Sequence, residues 1–190
     1  YSENKENVDN IKYIISDFNE KNRKFGFSFH NNRKNAFNLF YKHYEQYKND
    51  KTRIKPFLLV GDDFTIKKEP KLQEIILEYN YRDIKTYENT FYCIGYVVAQ
   101  YSIGYDFSKL DFISLSDPKA SIQDIKQCIG RGIRPDELGI SGTNKEKILI
   151  VSLPIYIDSN RQCEYEKIIE VKQYLINDIQ ISFEEIEIKN

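Results

Sequence analysis

The chain has 190 residues, the length of one domain or of one domain with a small appendage, and enough to bury a core without disulfides or metals. Hydrophobic residues make up 41% and charged residues 30%, which excludes a disordered chain, and no apolar run approaches the roughly 18 residues that span a bilayer. Lys+Arg 28 against Asp+Glu 29 gives a net charge of −1, so the chain is not a polycation, and any contact with nucleic acid has to come from a local patch.

Val8, Ile11, Ile14, Ile15 and Phe18 recur at helical spacing, which predicts an amphipathic helix over 7–22. Phe25, Phe27 and Phe29 alternate, so 24–30 reads as a strand. Asn31 or Asn32 caps the helix that follows over 33–47, with Ala36, Phe37, Phe40 and Tyr44 on one face. His43 falls on the polar side of that helix and reads as structural. Residues 57–60 (FLLV) form a short buried strand stopped by Gly61-Asp62-Asp63, and Pro70 opens a helix that ends at Tyr79. Residues 91–99 are apolar and strand-forming, and a polar loop follows over 100–107. A strand over 111–115 (DFISL) is closed by Ser116-Asp117-Pro118. Ser121 caps a helix that starts at Ile122 and stops near Gly130 to Gly132. Residues 147–153 (KILIVSL) read as a buried strand, 165–176 as a helix, and 135–146 as a surface loop.

Strands and helices therefore alternate, and several strands are apolar throughout. That pattern predicts an α/β domain whose parallel sheet carries helices on both faces. In such sheets ligands sit outside the carboxyl ends of the strands, which directs attention to the loops after Phe29, Ala99 and Leu115 and to the end of the helix that begins at Ile122. The three cysteines, Cys93, Cys128 and Cys163, form no CxxC pair. This excludes a paired-cysteine zinc site, leaves no metal site expected, and fits a reducing, intracellular location. The polar start, YSENKENVDN, is not a signal peptide, and a chain with no Met reads as a piece of a longer protein.

The sharpest segment is Gln127-Cys128-Ile129-Gly130-Arg131-Gly132-Ile133-Arg134. Gln127, Arg131 four residues on, and Arg134 seven residues on share one face of a helical backbone. Two guanidiniums on one face suit a multiply charged oxyanion, because each fork donates two hydrogen bonds. The glycines beside Arg131 let a backbone or a phosphate approach closely. The same residues also fit a helix C-terminus with glycine caps and two solvated arginines. In the loop over 100–107, Gly104 allows close approach to a ligand and Asp106 can accept from a ribose hydroxyl; an ordinary Gly/Asp turn uses the same residues. Ser28, Phe29, His30, Asn31, Asn32 and Arg33 bring phosphate-contacting groups to a strand end. They also fit a plain strand-to-helix loop, with His30 solvated. Asp117 and Lys119 are functional candidates, while Pro118 and Ser121 explain themselves as turn and cap.

In order and spacing these segments resemble the second, C-terminal RecA-like domain of superfamily 2 helicases. Residues 25–32 (FGFSFHNN) look like helicase motif IV, and 97–107, with Gly-x-Asp at its core, like motif V. Residues 127–134 match motif VI, Gln-x-x-Gly-Arg-x-x-Arg, in full. The run from DFISLSDPKAS into QCIGRGIRP is nearest in flavour to restriction-type translocases and to helicases of large DNA viruses. The resemblance covers residues 20–155. It implies a RecA-like parallel sheet over 24–160, an entry helix or linker over 1–23 leading from a missing first domain, and a C-terminal helix and tail over 161–190. It implies that Arg134 is an arginine finger on the γ-phosphate, Arg131 its companion, and Gln127 the group that positions the finger or couples nucleotide to nucleic acid. Gly104 and Asp106 would meet the nucleotide, and Ser28, Phe29 and Asn31 the backbone of DNA or RNA. The chain lacks a G-x-x-x-x-G-K-[ST] loop and an acidic box, so ATP and Mg²⁺ would be held mainly by an N-terminal RecA-like domain of the same protein, and the fragment alone would be inactive. Where many relatives carry Thr-Asp before the motif V loop, this chain has Val98 and Ala99. A non-catalytic RecA-like scaffold within a larger nucleic-acid complex is the alternative; no membrane association is expected.

Overall fold

The computed structural model describes residues 3–49, 53–60, 75, 82–98, 107–117, 121–133, 148–152 and 162–177. Among the described residues five strands lie parallel in one sheet: Phe25–His30 (β1), Lys55–Leu59 (β2), Cys93–Val98 (β3), Phe112–Ser114 (β4) and Ile150–Ser152 (β5). Their order is β2-β3-β1-β4-β5. Glu3–Glu20 (α1) precedes β1, Arg33–Lys48 (α2) joins β1 to β2, Ile84–Glu88 (α3) precedes β3, Ile122–Ile133 (α4) follows β4, and Gln162–Asn177 (α5) follows β5.

The central strands explain the near-continuous apolar runs. β1 pairs with β3 from Phe25↔Cys93 to His30↔Val98 and with β4 on its other side, and every residue of β1 and β3 is buried. Successive side chains go to opposite faces. Phe25, Phe27 and Phe29 enter the core shared with Ile125, Cys128 and Ile129 of α4 and Val171 of α5. The other face of the sheet packs Ile94, Tyr96, Val98 and Phe112 against Ile11, Ile14 and Phe18 of α1 and against Ala36, Phe40 and Tyr44 of α2. Each large apolar side chain buried in this way contributes about 1.5–3 kcal/mol relative to exposure. The first helix, which the sequence sets ahead of the domain proper, thus buries its apolar stripe in the main core. Small residues accommodate the phenylalanines. A Cβ on Gly95 would stand 2.9 Å from Leu59 Cδ1 and 3.1 Å from the Phe27 ring.

Two carboxylates tie distant segments together. Asp111 accepts from the backbone N–H groups of Lys24 (3.0 Å) and Phe25 (2.9 Å), fixing the start of β1 beside β4. Ser152 Oγ of β5 donates to Asp17 of α1 at 3.0 Å.

The structure differs from the sequence expectations in three places. α4 does not stop at the glycines but runs through Gly130 and Gly132 to Ile133. α3 was not foreseen; Asp83 caps it by accepting from Lys85 N–H at 3.1 Å. Its five residues are too few to show a periodicity. Neither His43 nor His30 is solvated: they are 0% and 1% exposed. Of the helix expected over 70–79, Ile75 alone is among the described residues, where it is helical and buried. Among the described residues no helix is long and apolar enough to cross a membrane.

Candidate functional site

The carboxyl ends of β1 and β4 meet because the strands pair in parallel, with Ser28 opposite Ser114. Both strands end in polar residues, and these form one continuous chain of hydrogen bonds. Ser114 Oγ lies 3.0 Å from Ser116 Oγ, which lies 2.6 Å from Ser28 Oγ. Ser28 Oγ lies 2.9 Å from His30 Nε2, and His30 Nδ1 lies 3.4 Å from Asp117 Oδ1. Asp117 Oδ2 accepts from the Asn31 backbone N–H and from the Asn35 side-chain amide, both at 2.9 Å. Ser28, His30, Ser114, Ser116 and Asp117 are all buried. Polar groups removed from water are costly unless paired, and this chain pairs them with one another.

Asp117 therefore fastens the end of β4 to the turn between β1 and α2. Burial raises its pKa, but hydrogen bonding and charge attraction from His30, with the Asn31 N–H and the Asn35 amide, outweigh it and hold the carboxyl at about 2. Asn32, not Asn31, caps α2, its side chain accepting from Asn35 N–H at 2.9 Å. Asn31, Asn32, Arg33 and Lys34 are exposed around this edge. Behind it, the Tyr96 ring stacks on His30 at 6.0 Å and its hydroxyl lies 2.8 Å from His43 Nδ1. Burial drives His43 down to about 3, the Ile54 backbone opposing it, and pushes the Tyr96 hydroxyl up.

The expected site residues are distributed as follows. Ser28 and Phe29 are inside the sheet rather than on its surface: the Ser28 hydroxyl belongs to the polar chain and Phe29 to the core, so neither side chain faces a passing strand. Asn31 is exposed, with its backbone N–H committed to Asp117. Gln127 and Arg131 lie one turn apart on α4, both half-buried. Ser121 Oγ accepts from Asp124 N–H at 3.1 Å at the head of α4, and Gly132 near its end faces Leu149, the residue before β5. The helix thus runs back from the carboxyl edge along the sheet, so Gln127 and Arg131 stand successively farther from Asp117. Arg134, Gly104, Asp106 and Lys119 lie outside the described residues.

Missed in the sequence were the burial of His30 and the roles of Ser116 and Asn35. The available signal was the polar alternation within β1 and the Asp before Pro118. Asp117 and Asp111 already receive N–H groups, and among the described residues no group of three His, Cys, Asp or Glu could hold a metal ion. The α4 residue Arg131 carries a guanidinium, which is a hydrogen-bond donor and not a ligand for magnesium.

No family model matches the chain, and no curated protein matches it. Solved structures do. S. cerevisiae Dbp5 bound to RNA and ADP BeF3 aligns at a TM-score of 0.55 and 14% identity over 88% of this chain and 36% of that one. E. coli DEAD-box protein SrmB, bound to regulator of ribonuclease activity A, aligns at 0.53 and 14% identity over 88% of this chain and 79% of that one. The ATP-dependent Type ISP restriction-modification enzyme LlaBIII bound to DNA aligns at 0.52 and 17% identity over 88% of this chain and 12% of that one. The parallel sheet with helices on both faces, shared with these neighbours, defines a RecA-like α/β domain. The chain spans only 36% of the Dbp5 chain it aligns with.

Proposed function

We propose that this chain is the second motor domain of an ATP-dependent DNA or RNA helicase or translocase. One observation carries the reading: within a RecA-like domain, the Gln-x-x-Gly-Arg-x-x-Arg segment begins on one helix, α4, with Gln127 and Arg131 one turn apart and half-buried. Arg134, three residues beyond Arg131, would be the arginine finger, and Arg131 its companion. A fixed guanidinium stabilises the charge that develops on a transferring phosphoryl group. Gln127 would position the finger, and Gly104 and Asp106 would meet the nucleotide, Asp106 towards its ribose. ATP and Mg²⁺ would be held mainly by an N-terminal RecA-like domain. Domain closure around ATP would bring the finger to the γ-phosphate, and hydrolysis would reopen the cleft. Support for a nucleic-acid track comes from the solved neighbours bound to RNA or DNA.

On this chain the track would run past Asn31, with Arg33 and Lys34 beside it, while Ser28 and Phe29 set the backbone of that edge from within. Contacts of this kind give little sequence specificity and strong salt dependence.

Two outcomes test the reading. The isolated chain should hydrolyse ATP negligibly, because it holds half of a composite site; robust turnover in a steady-state phosphate-release assay would mean that a complete site exists here. In the protein that carries both domains, Arg134→Lys should fail almost as badly as Arg134→Ala, since a point charge cannot reproduce the fork. Near-normal turnover of the lysine variant would remove the finger assignment.

A further inference from the structure

The amino ends of the strands form the opposite rim of the sheet from Asp117, and they carry a second concentration of chemistry. Phe91 (49% exposed), Tyr92 (45%) and Ile148 (56%) stand at this rim, just ahead of β3 and β5. Side-chain contacts extend them into one stripe. Arg23 Nη1 donates to the Ile148 carbonyl at 2.8 Å, and next to it Lys24 Nζ lies 5.8 Å from the Phe91 ring centroid. Phe91 leans on Phe25 at 5.4 Å. Lys109 Nζ lies 5.7 Å from the Phe25 centroid, on the β4 side, and donates to the Glu88 carbonyl at 3.0 Å. The one carboxylate at the start of β4, Asp111, is buried and occupied by backbone N–H groups.

Tyr92 adopts φ 56, the left-handed region that an aromatic side chain rarely enters. The bonds Lys55 N–H to Tyr92 O (2.8 Å) and Cys93 N–H to Lys24 O (3.0 Å) hold the chain there. With this bend in place, β3 begins inside the sheet while both aromatic rings before it remain at the surface.

We infer that this rim binds single-stranded nucleic acid, with bases stacking on Phe91 and Tyr92 and phosphates met by Lys24 and Lys109. Alternating aromatic and cationic groups are the pattern that grips a single strand without reading its sequence. The five strand ends span about 19 Å, so several successive groups of one strand can engage. An acidic peptide would meet the same cations but has no flat ring at every residue; nucleic acid supplies a ring and a phosphate together. The site is separate from the carboxyl edge and needs neither Arg134 nor a second domain.

The test uses the whole 190-residue chain and a fluorescent oligothymidylate of about 15 nucleotides, titrated across a salt series. Tyr92→Asn removes the ring and keeps a residue tolerant of this backbone; it should weaken binding at least about fivefold, and Tyr92→Phe should restore it. Lys24→Gln and Lys109→Gln should each flatten the salt slope by about one phosphate contact. An iodouracil-substituted strand should cross-link to Phe91 or Tyr92, and should still do so in an Arg33→Gln/Lys34→Gln chain. Binding abolished by Arg33→Gln/Lys34→Gln and indifferent to Tyr92→Asn would overturn the rim site and leave the motor reading intact. No binding of the oligonucleotide at all, or binding that every variant retains, overturns the rim site as well. Tyr92-dependent binding of a polyglutamate peptide without cross-linking to the strand would assign the rim to an acidic protein segment instead.

Discussion

Asp117, which fastens the carboxyl edge, and His43, buried on α2 against the Tyr96 hydroxyl, both make acid sensitivity a property of this fold. Asp117 is held at about 2 in the folded chain, below its ordinary 3.8. Its contribution to stability is therefore complete above the ordinary value and is lost as pH falls through that value towards 2. His43 is held at about 3, below its ordinary 6.5, by burial that the Ile54 backbone only partly offsets. The unfolded chain takes up that proton first, so stability declines as pH falls from 6.5 towards 3. Urea midpoints measured across this range should fall in two overlapping stages. His43→Gln should remove the upper stage and Asp117→Asn the lower. At neutral pH Asp117→Asn should also cost about 1–3 kcal/mol, because the Asn31 N–H and the Asn35 amide lose a charged acceptor. An Asp117→Asn chain with the wild-type midpoint and pH profile would show that the network does not hold the edge. None of this was legible at the residue scale. Ser28, His30 and Asp117 read as surface polar groups because their partners lie far away in sequence: His30 and Asp117 are 87 residues apart. Only the parallel pairing of β1 with β4 brings them together.

Among the elements, α4 shows most clearly where local sequence misleads. Two glycines flanking Arg131 read as a helix stop, yet the helix continues through both. Their roles differ. A Cβ on Gly132 would fall 2.4 Å from Leu149 Cδ1 and 2.9 Å from Ile113 Cδ1, whereas a Cβ on Gly130 would meet nothing within 4 Å. Gly132 is thus a close-packing residue that lets α4 approach β4 and the start of β5. Gly130→Ala should stabilise the chain by up to ~1 kcal/mol through helix propensity. Gly132→Ala should destabilise it by about 1–2 kcal/mol, since the half-buried Leu149 can give way in part but the fully buried Ile113 cannot. Thermal denaturation of the pair checks this; equal shifts of the same sign would contradict the assigned packing. Elsewhere the elements were largely legible, because long periodic segments such as α2 and the alternating phenylalanines of β1 carry their own signal. α3, with five residues, carries none.

At the scale of the whole molecule, the parallel sheet covered by helices on both faces was readable from apolar strands alternating with amphipathic helices, and the strand order places α4 beside β4. What the chain does alone follows less directly. A RecA-like sheet of this kind offers an arginine-bearing helix and a polar carboxyl edge, and the proposed chemistry needs an opposing surface to hold the nucleotide. The proposed function would divide the labour: this domain would supply cations and part of a track, and a partner domain the phosphate cradle. The most direct measurement is nucleic-acid-stimulated ATPase activity of the protein carrying both domains, wild type against Arg134→Ala. Stimulated turnover that falls by on the order of 10³ in the variant is the expected result. Turnover indifferent to Arg134 would contradict it.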